Sequence, residues 1–152
     1  INLAPFVKHI RAIDISRKMI EIARAKSVTG NVENVSFEQS NIVDLNPKDA
    51  AYDAVMAHSI LHLLENKEAV IATIHRMLKP GGVFVSSTAC LGGTMLALRV
   101  LLPIGRILGL LPLVKFFTAE ELGGNLRDAG FRIEHQWRPG KNEALFIVAT
   151  KT

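Results

Sequence analysis

The chain has 152 residues, 49% of them hydrophobic and 21% charged, which suits one compact domain with a core and excludes wholesale disorder. A single cysteine, Cys90, excludes a disulfide framework and any multi-cysteine zinc or iron–sulfur site, so a reducing cytoplasmic setting is expected. The net charge of +4 comes without a clustered Lys/Arg run interleaved with aromatics, which argues against a nucleic-acid partner.

In chain order, residues 7–15 read as a strand whose loose alternation suits a parallel sheet covered on both faces. Ser16 is placed as an N-cap for a helix with Met19, Ile20, Ala23 and Val28 on one face and Gly30 as its stop. Residues 35–39 form a second strand, Asn46-Pro47 marks a turn, and residues 52–57 (YDAVMA) form a third strand, apolar enough to be central. A helix from Asn66 to Leu78 follows, ended by Lys79-Pro80-Gly81-Gly82, since proline cannot continue it and glycine allows positive φ. Residues 83–88 (VFVSST) are a fourth strand. Thr118 caps a helix through Ala129, with Glu120 and Glu121 where the helix dipole favours acids. Residues 131–137 and 144–150 close the chain as an antiparallel pair across Pro139-Gly140. Strands alternating with helices predict a single α/β domain over residues 1–152, its sheet mostly parallel with helices on both faces and an antiparallel C-terminal hairpin.

Sheets of this kind bind ligands beyond the carboxyl ends of their strands, which singles out Asp14, Asn41, His58 and Thr88. A carboxylate at such an end can accept both hydroxyls of a ribose. Asp14 suits that role, and equally suits the simpler one of capping the turn into the Ser16 helix.

The ordered set Asp14-Ile15-Ser16-Arg17-Lys18-Met19, Tyr52-Asp53-Ala54-Val55, Leu61-His62, Arg76-Met77-Leu78-Lys79-Pro80-Gly81-Gly82 and Thr118-Ala119-Glu120-Glu121-Leu122 with Ala129-Gly130-Phe131 resembles the class I S-adenosylmethionine-dependent methyltransferases. More closely, it is similar to the methyltransferase type 11 and ubiquinone/menaquinone methyltransferase-like group. Each piece alone is weak; the order across nearly the whole chain is specific. The resemblance implies a Rossmann-like fold and S-adenosylmethionine as cofactor. It implies that Asp14 bonds the ribose, that Ile15 and Met19 lie against adenine, and that Ala57 and His58 border the methionine part. Ser40-Asn41-Ile42 falls where the family often has an acid for the adenine amino group. Asn41 replaces that acid, and its amide oxygen can accept the same bond without charge assistance.

The family's glycine-rich loop should precede Asp14 by roughly 20 residues. Thirteen residues precede Asp14 and none is glycine, so the fold is expected to lack the first strand and that loop. The chain starts at Ile1, without the basic and apolar regions of a signal peptide, and reads as a fragment, processed or cut from something longer.

His62 is the candidate catalytic residue: an imidazole could act as general base at the methyl acceptor, although Leu61-His62 also suits a packed loop. Methyl transfer can also proceed by placing donor and acceptor in line without a base. His9, His75 and His135 are read as structural or surface residues, and the five histidines show no metal-ligand spacing. Cys90, without an adjacent base, reads as a small buried residue rather than a nucleophile.

Residues 91–117 hold 17 hydrophobic residues in 27, interrupted by Arg99, Pro103, Arg106 and Pro112, too often for a membrane span. The 51 residues between Glu68 and Glu120, which include this stretch, contain no acid. An apolar, basic lid of this kind suits a small hydrophobic acceptor; packing as core helices or as a dimer contact suits it equally. Two functions follow: S-adenosylmethionine-dependent methyl transfer to such an acceptor, or a non-catalytic domain that meets a membrane surface or a partner through 91–117. A nicotinamide-dependent Rossmann enzyme is a weaker third reading.

Overall fold

The computed structural model describes residues 1–45, 47–89, 115, 117–140 and 143–152. They form two compact units, Ile1–Asn46 and Pro47–Thr152.

The first unit runs from a short 3-10 turn, Ala4–Phe6, into strand β1 (Ile10–Asp14), helix α1 (Arg17–Thr29), strand β2 (Val35–Gln39) and a second 3-10 turn, Ile42–Asp44. The helix starts where expected because Ser16 Oγ accepts the Met19 N–H at 3.3 Å, and it ends at Gly30, whose N–H returns to the Lys26 carbonyl. β1 and β2 pair in parallel, from Ile10 opposite Val35 to Asp14 opposite Gln39. β1 is shorter than the expected 7–15. The Val7 carbonyl accepts the Asn34 side-chain amide instead of joining the ladder, which begins with Ile10 N–H donating to the Asn34 carbonyl. α1 turns Ile20 onto this two-stranded sheet, while Met19, Ile22 and Val28 stay exposed.

The second unit contains β3 (Tyr52–His58), a 3-10 turn at Leu61–Leu63, α2 (Lys67–Met77), β4 (Leu78–Thr88), α3 (Ala119–Asp128), β5 (Phe131–Trp137) and β6 (Leu145–Lys151). Its strands lie in the order β3-β4-β6-β5. α2 is the crossover that makes β3 and β4 parallel, whereas β6 pairs antiparallel with both β4 and β5. The terminal hairpin is therefore present as expected, with its second strand inserted beside β4. Asn66 caps α2 through a 2.9 Å bond from the Ala69 N–H, and Thr118 caps α3 through the Glu121 N–H. At the other end of α2, Lys151 Nζ donates to the carbonyls of His75 and Leu78, both at 2.8 Å, placing a cation where the helix dipole is negative.

Both helices of this unit pack on one face of the sheet. The His75 ring of α2 meets Phe131 edge-on at 5.0 Å, and Gly123 of α3 sits so close to the same face that an added Cβ would lie 3.5 Å from Ile133 Cδ1. Between them Phe84, Ile147, Ala149, Ile71, Leu122 and Leu126 are fully buried. Lys67 joins the helices: its Nζ reaches Glu68 of α2 at 2.6 Å and Glu121 of α3 at 2.9 Å, and lies 5.0 Å above the Phe117 ring.

Two expectations need correction. The apolar strand 52–57 is not central but occupies the edge of the four-stranded sheet, and Met56 is 42% exposed. Periodicity reports apolar side chains, not which strand lies on each side. Second, Lys79-Pro80-Gly81-Gly82 does not separate a helix ending at Leu78 from a strand starting at Val83. The strand already begins at Leu78, opposite Tyr52, and the four residues bulge out before Val83 pairs with Ala54. Gly81 takes φ +74°, and a Cβ at Gly82 would lie 2.8 Å from the Lys79 carbonyl oxygen.

Candidate functional site

At the carboxyl ends of β1 and β2, Asp14 closes its strand opposite Gln39. Its Oδ1 accepts the Ser16 N–H at 2.7 Å, so the turn-capping role is real. Oδ2 receives no hydrogen bond from a described residue, and a carboxylate has lone pairs to spare, so capping leaves the second oxygen available. Ile15 and Met19 flank it, 68% and 52% exposed, two apolar side chains held out beside a polar strand end. Gln39 Nε2 donates to the Ile15 carbonyl at 3.1 Å and fixes the chain where it leaves the strand.

Ile15, Gln39, Ser40, Asn41 and Asp44 line a shallow open depression of about 360 Å³ at this end. Three of them, Gln39, Ser40 and Asp44, carry no role in the motif reading. Asn41 caps the Ile42–Asp44 turn, its Oδ1 accepting the Val43 N–H at 3.3 Å, and that turn brings the Asp44 carboxylate into the same depression. An acid missing at position 41 is thus present three residues on. Only the 3-10 turn reveals it; an Asp five residues beyond a strand carries no such signal in sequence. Met19 and Ile42 adjoin the depression in sequence but do not line it.

In the second unit, Ala57 and His58 end β3 opposite Ser86 and Ser87 of β4. Ala57 is buried and His58 exposed, its Nδ1 lying 3.1 Å from Ser87 Oγ. The chain then reverses through Ser59, a non-glycine residue at φ +53° whose N–H donates to the Ser87 carbonyl at 2.8 Å. This delivers Leu61 into the core and sets His62 Nδ1 3.1 Å from Thr88 Oγ1. The His62 carbonyl accepts the Lys115 N–H at 2.7 Å. Burial lowers the His62 pKa below the usual imidazole range and favours the neutral ring.

Ser87 and Thr88 are consecutive on β4 and point to opposite faces of the sheet. His58 and His62 therefore bond on opposite faces of the sheet at the same strand ends, although they are only four positions apart in the chain. Among the described residues no three His, Cys, Asp or Glu side chains converge as a metal site. His9 bonds Ser36 Oγ at 3.0 Å, His75 packs against Phe131 and His135 lies exposed on β5. Asp53, one of the motif residues, pairs with Lys79 at 2.7 Å at the opposite end of β3, and that cation holds its carboxyl below the usual range. Cys90, Arg99, Arg106 and all of the expected lid except Lys115 and Phe117 lie outside the described residues. No helix among the described residues is long and apolar enough to cross a membrane.

Strands alternating with helices and closed by an antiparallel hairpin define an α/β, Rossmann-like architecture. Residues 2–128 match the family described as "Methyltransferase domain", and the chain belongs to that family. The ubiquinone biosynthesis O-methyltransferase of Xanthomonas axonopodis pv. citri (strain 306) is 28% identical over 159 residues, covering 99% of this chain and 66% of that protein. The chain spans 61–66% of the length of the curated relatives it matches in this group. The S-adenosylmethionine-dependent methyltransferase from Mesorhizobium loti superposes with a TM-score of 0.75 at 21% identity, over 95% of this chain and 81% of that one. The [4+2]-cyclase SpnF superposes with a TM-score of 0.74 at 19% identity, over 94% of this chain and 66% of that one. The expected Rossmann-like α/β fold is the one these structures share.

Proposed function

We propose that the chain is part of an S-adenosylmethionine-dependent methyltransferase acting on a small hydrophobic acceptor. The observation that supports this reading most is the end of β1 and β2: a carboxylate with one unclaimed oxygen, two outward apolar side chains and a polar depression beside them. These residues fit the adenosine end of such a cofactor. Asp14 would accept the ribose hydroxyls through Oδ2, and Ile15 and Met19 would cover one face of the base. Asn41, beside Ile42, would accept from the exocyclic amino group, and Asp44 would add the charge that Asn41 lacks. Ala57 and His58 would border the methionine part.

When bound, the cofactor supplies an electrophilic sulfonium methyl group for in-line displacement. The protein's share is then to orient the acceptor and exclude water, which can carry such a reaction without a dedicated base. His62, half-buried and neutral, is the polar group assigned to the acceptor. The relative named for ubiquinone biosynthesis and O-methylation suggests a quinone-related acceptor with oxygen as the methylated atom. The cyclase sharing this scaffold is a reminder that such a fold also houses other chemistry.

Calorimetric titration of S-adenosylmethionine into the chain tests the assignment. Removing the carboxylate in Asp14→Ala is expected to weaken binding about tenfold or more, the value of charge-assisted bonds to a sugar diol. Equal affinity in wild type and variant would refute the role of Asp14.

A further inference from the structure

A buried hydroxyl dictates where the hydrogen sits on an imidazole it touches. Thr88 is fully buried at the end of β4, and among the described residues its Oγ1 has one partner, His62 Nδ1 at 3.1 Å. An O–H group removed from water and donating to nothing loses its hydration without return. The Thr88 proton therefore points at Nδ1. A ring nitrogen that accepts a hydrogen bond carries no hydrogen, so in the neutral imidazole the hydrogen resides on Nε2. Nε2 has no hydrogen-bond partner among the described residues and is not among the buried polar atoms lacking partners, so it is not sealed from solvent and is free to donate. The main chain of His62 is anchored as well, by fully buried Leu61 before it and by the Lys115 N–H on the His62 carbonyl.

We propose that Thr88 is a positioning residue that locks His62 in the Nε2–H form, so that His62 meets the methyl acceptor as a hydrogen-bond donor to oxygen and not as a general base. The proposal rests on the reading above that His62 faces the acceptor. A free donor on a half-buried ring selects an apolar molecule carrying an oxygen anion, because an N–H bond to an anion is charge-assisted. Such an acceptor arrives already ionised, and no proton need pass to the protein. An isolated sequence motif cannot distinguish these roles, since Leu61-His62 reads the same for either tautomer.

Long-range proton–nitrogen correlation spectra of the nitrogen-15-labelled chain, recorded above about pH 8 so that the ring is neutral, read the tautomer directly. Wild type should show His62 protonated at Nε2. Thr88→Val should release a mixture of tautomers, and Thr88→Ser should restore the single form. A wild-type signal for Nδ1–H, or an unchanged tautomer in Thr88→Val, overturns the lock. Adding 4-nitrophenolate should move the Nε2 resonance while nitrobenzene, the same ring without the oxygen anion, should not. No response to 4-nitrophenolate, or an equal response to both, overturns the donor role. Cofactor calorimetry on the same samples separates the two readings. Equal affinity in wild type and Thr88→Val is expected, and a wild type that binds no S-adenosylmethionine refutes the assignment of the cofactor to this chain's residues whatever the tautomer spectra show.

Discussion

In the first unit a two-stranded sheet and one helix bury Ala4, Ile20 and Ser27 and leave Ile15, Met19, Ile22 and Val28 exposed. In the second, four strands and two helices enclose Phe84, Ile147, Leu122 and Leu126 completely. Two strands with a helix on one face remove too little apolar surface from water to offset much chain entropy, whereas the larger sheet gives each central residue neighbours on several sides. The expected adenosine-side residues thus stand on the sparsely packed unit, and the two histidines stand on the well-packed one. Precision follows packing: the His62 ring meets the fully buried Thr88 hydroxyl, while Ile15 and Met19 are held by a turn and a helix cap.

The largest expected effect tests that contrast directly. Phe84→Ala should cost about 3–5 kcal/mol in urea unfolding, because it empties the centre of the second unit. Ile20→Ala in the first unit should cost clearly less, since its surroundings are already partly open. Comparable losses would show that the two units are equally packed in solution.

A smaller loss is expected from Gly82→Ala, about 1–3 kcal/mol by the same measurement, because the added Cβ meets main-chain carbonyls that cannot step aside. Gly124→Ala, where an added Cβ meets nothing within 4 Å, is the matched control and should be neutral or slightly stabilising. If both glycines tolerate alanine alike, the main chain around Gly82 gives way and the 2.8 Å approach does not constrain the bulge.

The smallest effect is a pH dependence carried by the second unit. Burial first, and then the Lys151 charge, lower the His75 pKa below 6.5, so the fold favours the neutral ring. The unfolded chain takes up a proton near 6.5 while the folded chain does not. The stability His75 contributes is therefore complete above that value and is lost as pH falls toward the lowered folded pKa. His62 acts with the same sign. The urea midpoint should fall modestly between about pH 7.5 and about pH 5.5, and His75→Gln should flatten that slope. A slope that survives both His75→Gln and His62→Gln would locate the titration elsewhere.

Much of this molecule could be read from local chemistry. Ser16 and Thr118 each cap the helix that follows them, and Gly30 ends one, because caps and stops are satisfied within a few residues. Asp14 could be placed at a strand end, and its turn-capping role is met by Oδ1, which accepts the Ser16 N–H. What escaped was whatever depends on a neighbour far along the chain. β3 has the composition of a central strand and lies at an edge. Lys79 to Gly82 have the composition of a turn and form a bulge inside a strand. Asp44 joins the depression only because Asn41 winds a 3-10 turn beneath it.

The sequence by itself determined the family, the order of elements and the identity of the chemical groups at the strand ends, since these rest on short-range patterns and on the side chains themselves. The tertiary structure decided which of those groups share a face. His58 and His62 are four residues apart and belong to opposite sides of the sheet, because Ser87 and Thr88 alternate on β4 and each takes one imidazole. That register is made by pairing between strands distant in sequence, and through it a buried hydroxyl sets the protonation of a residue 26 positions away.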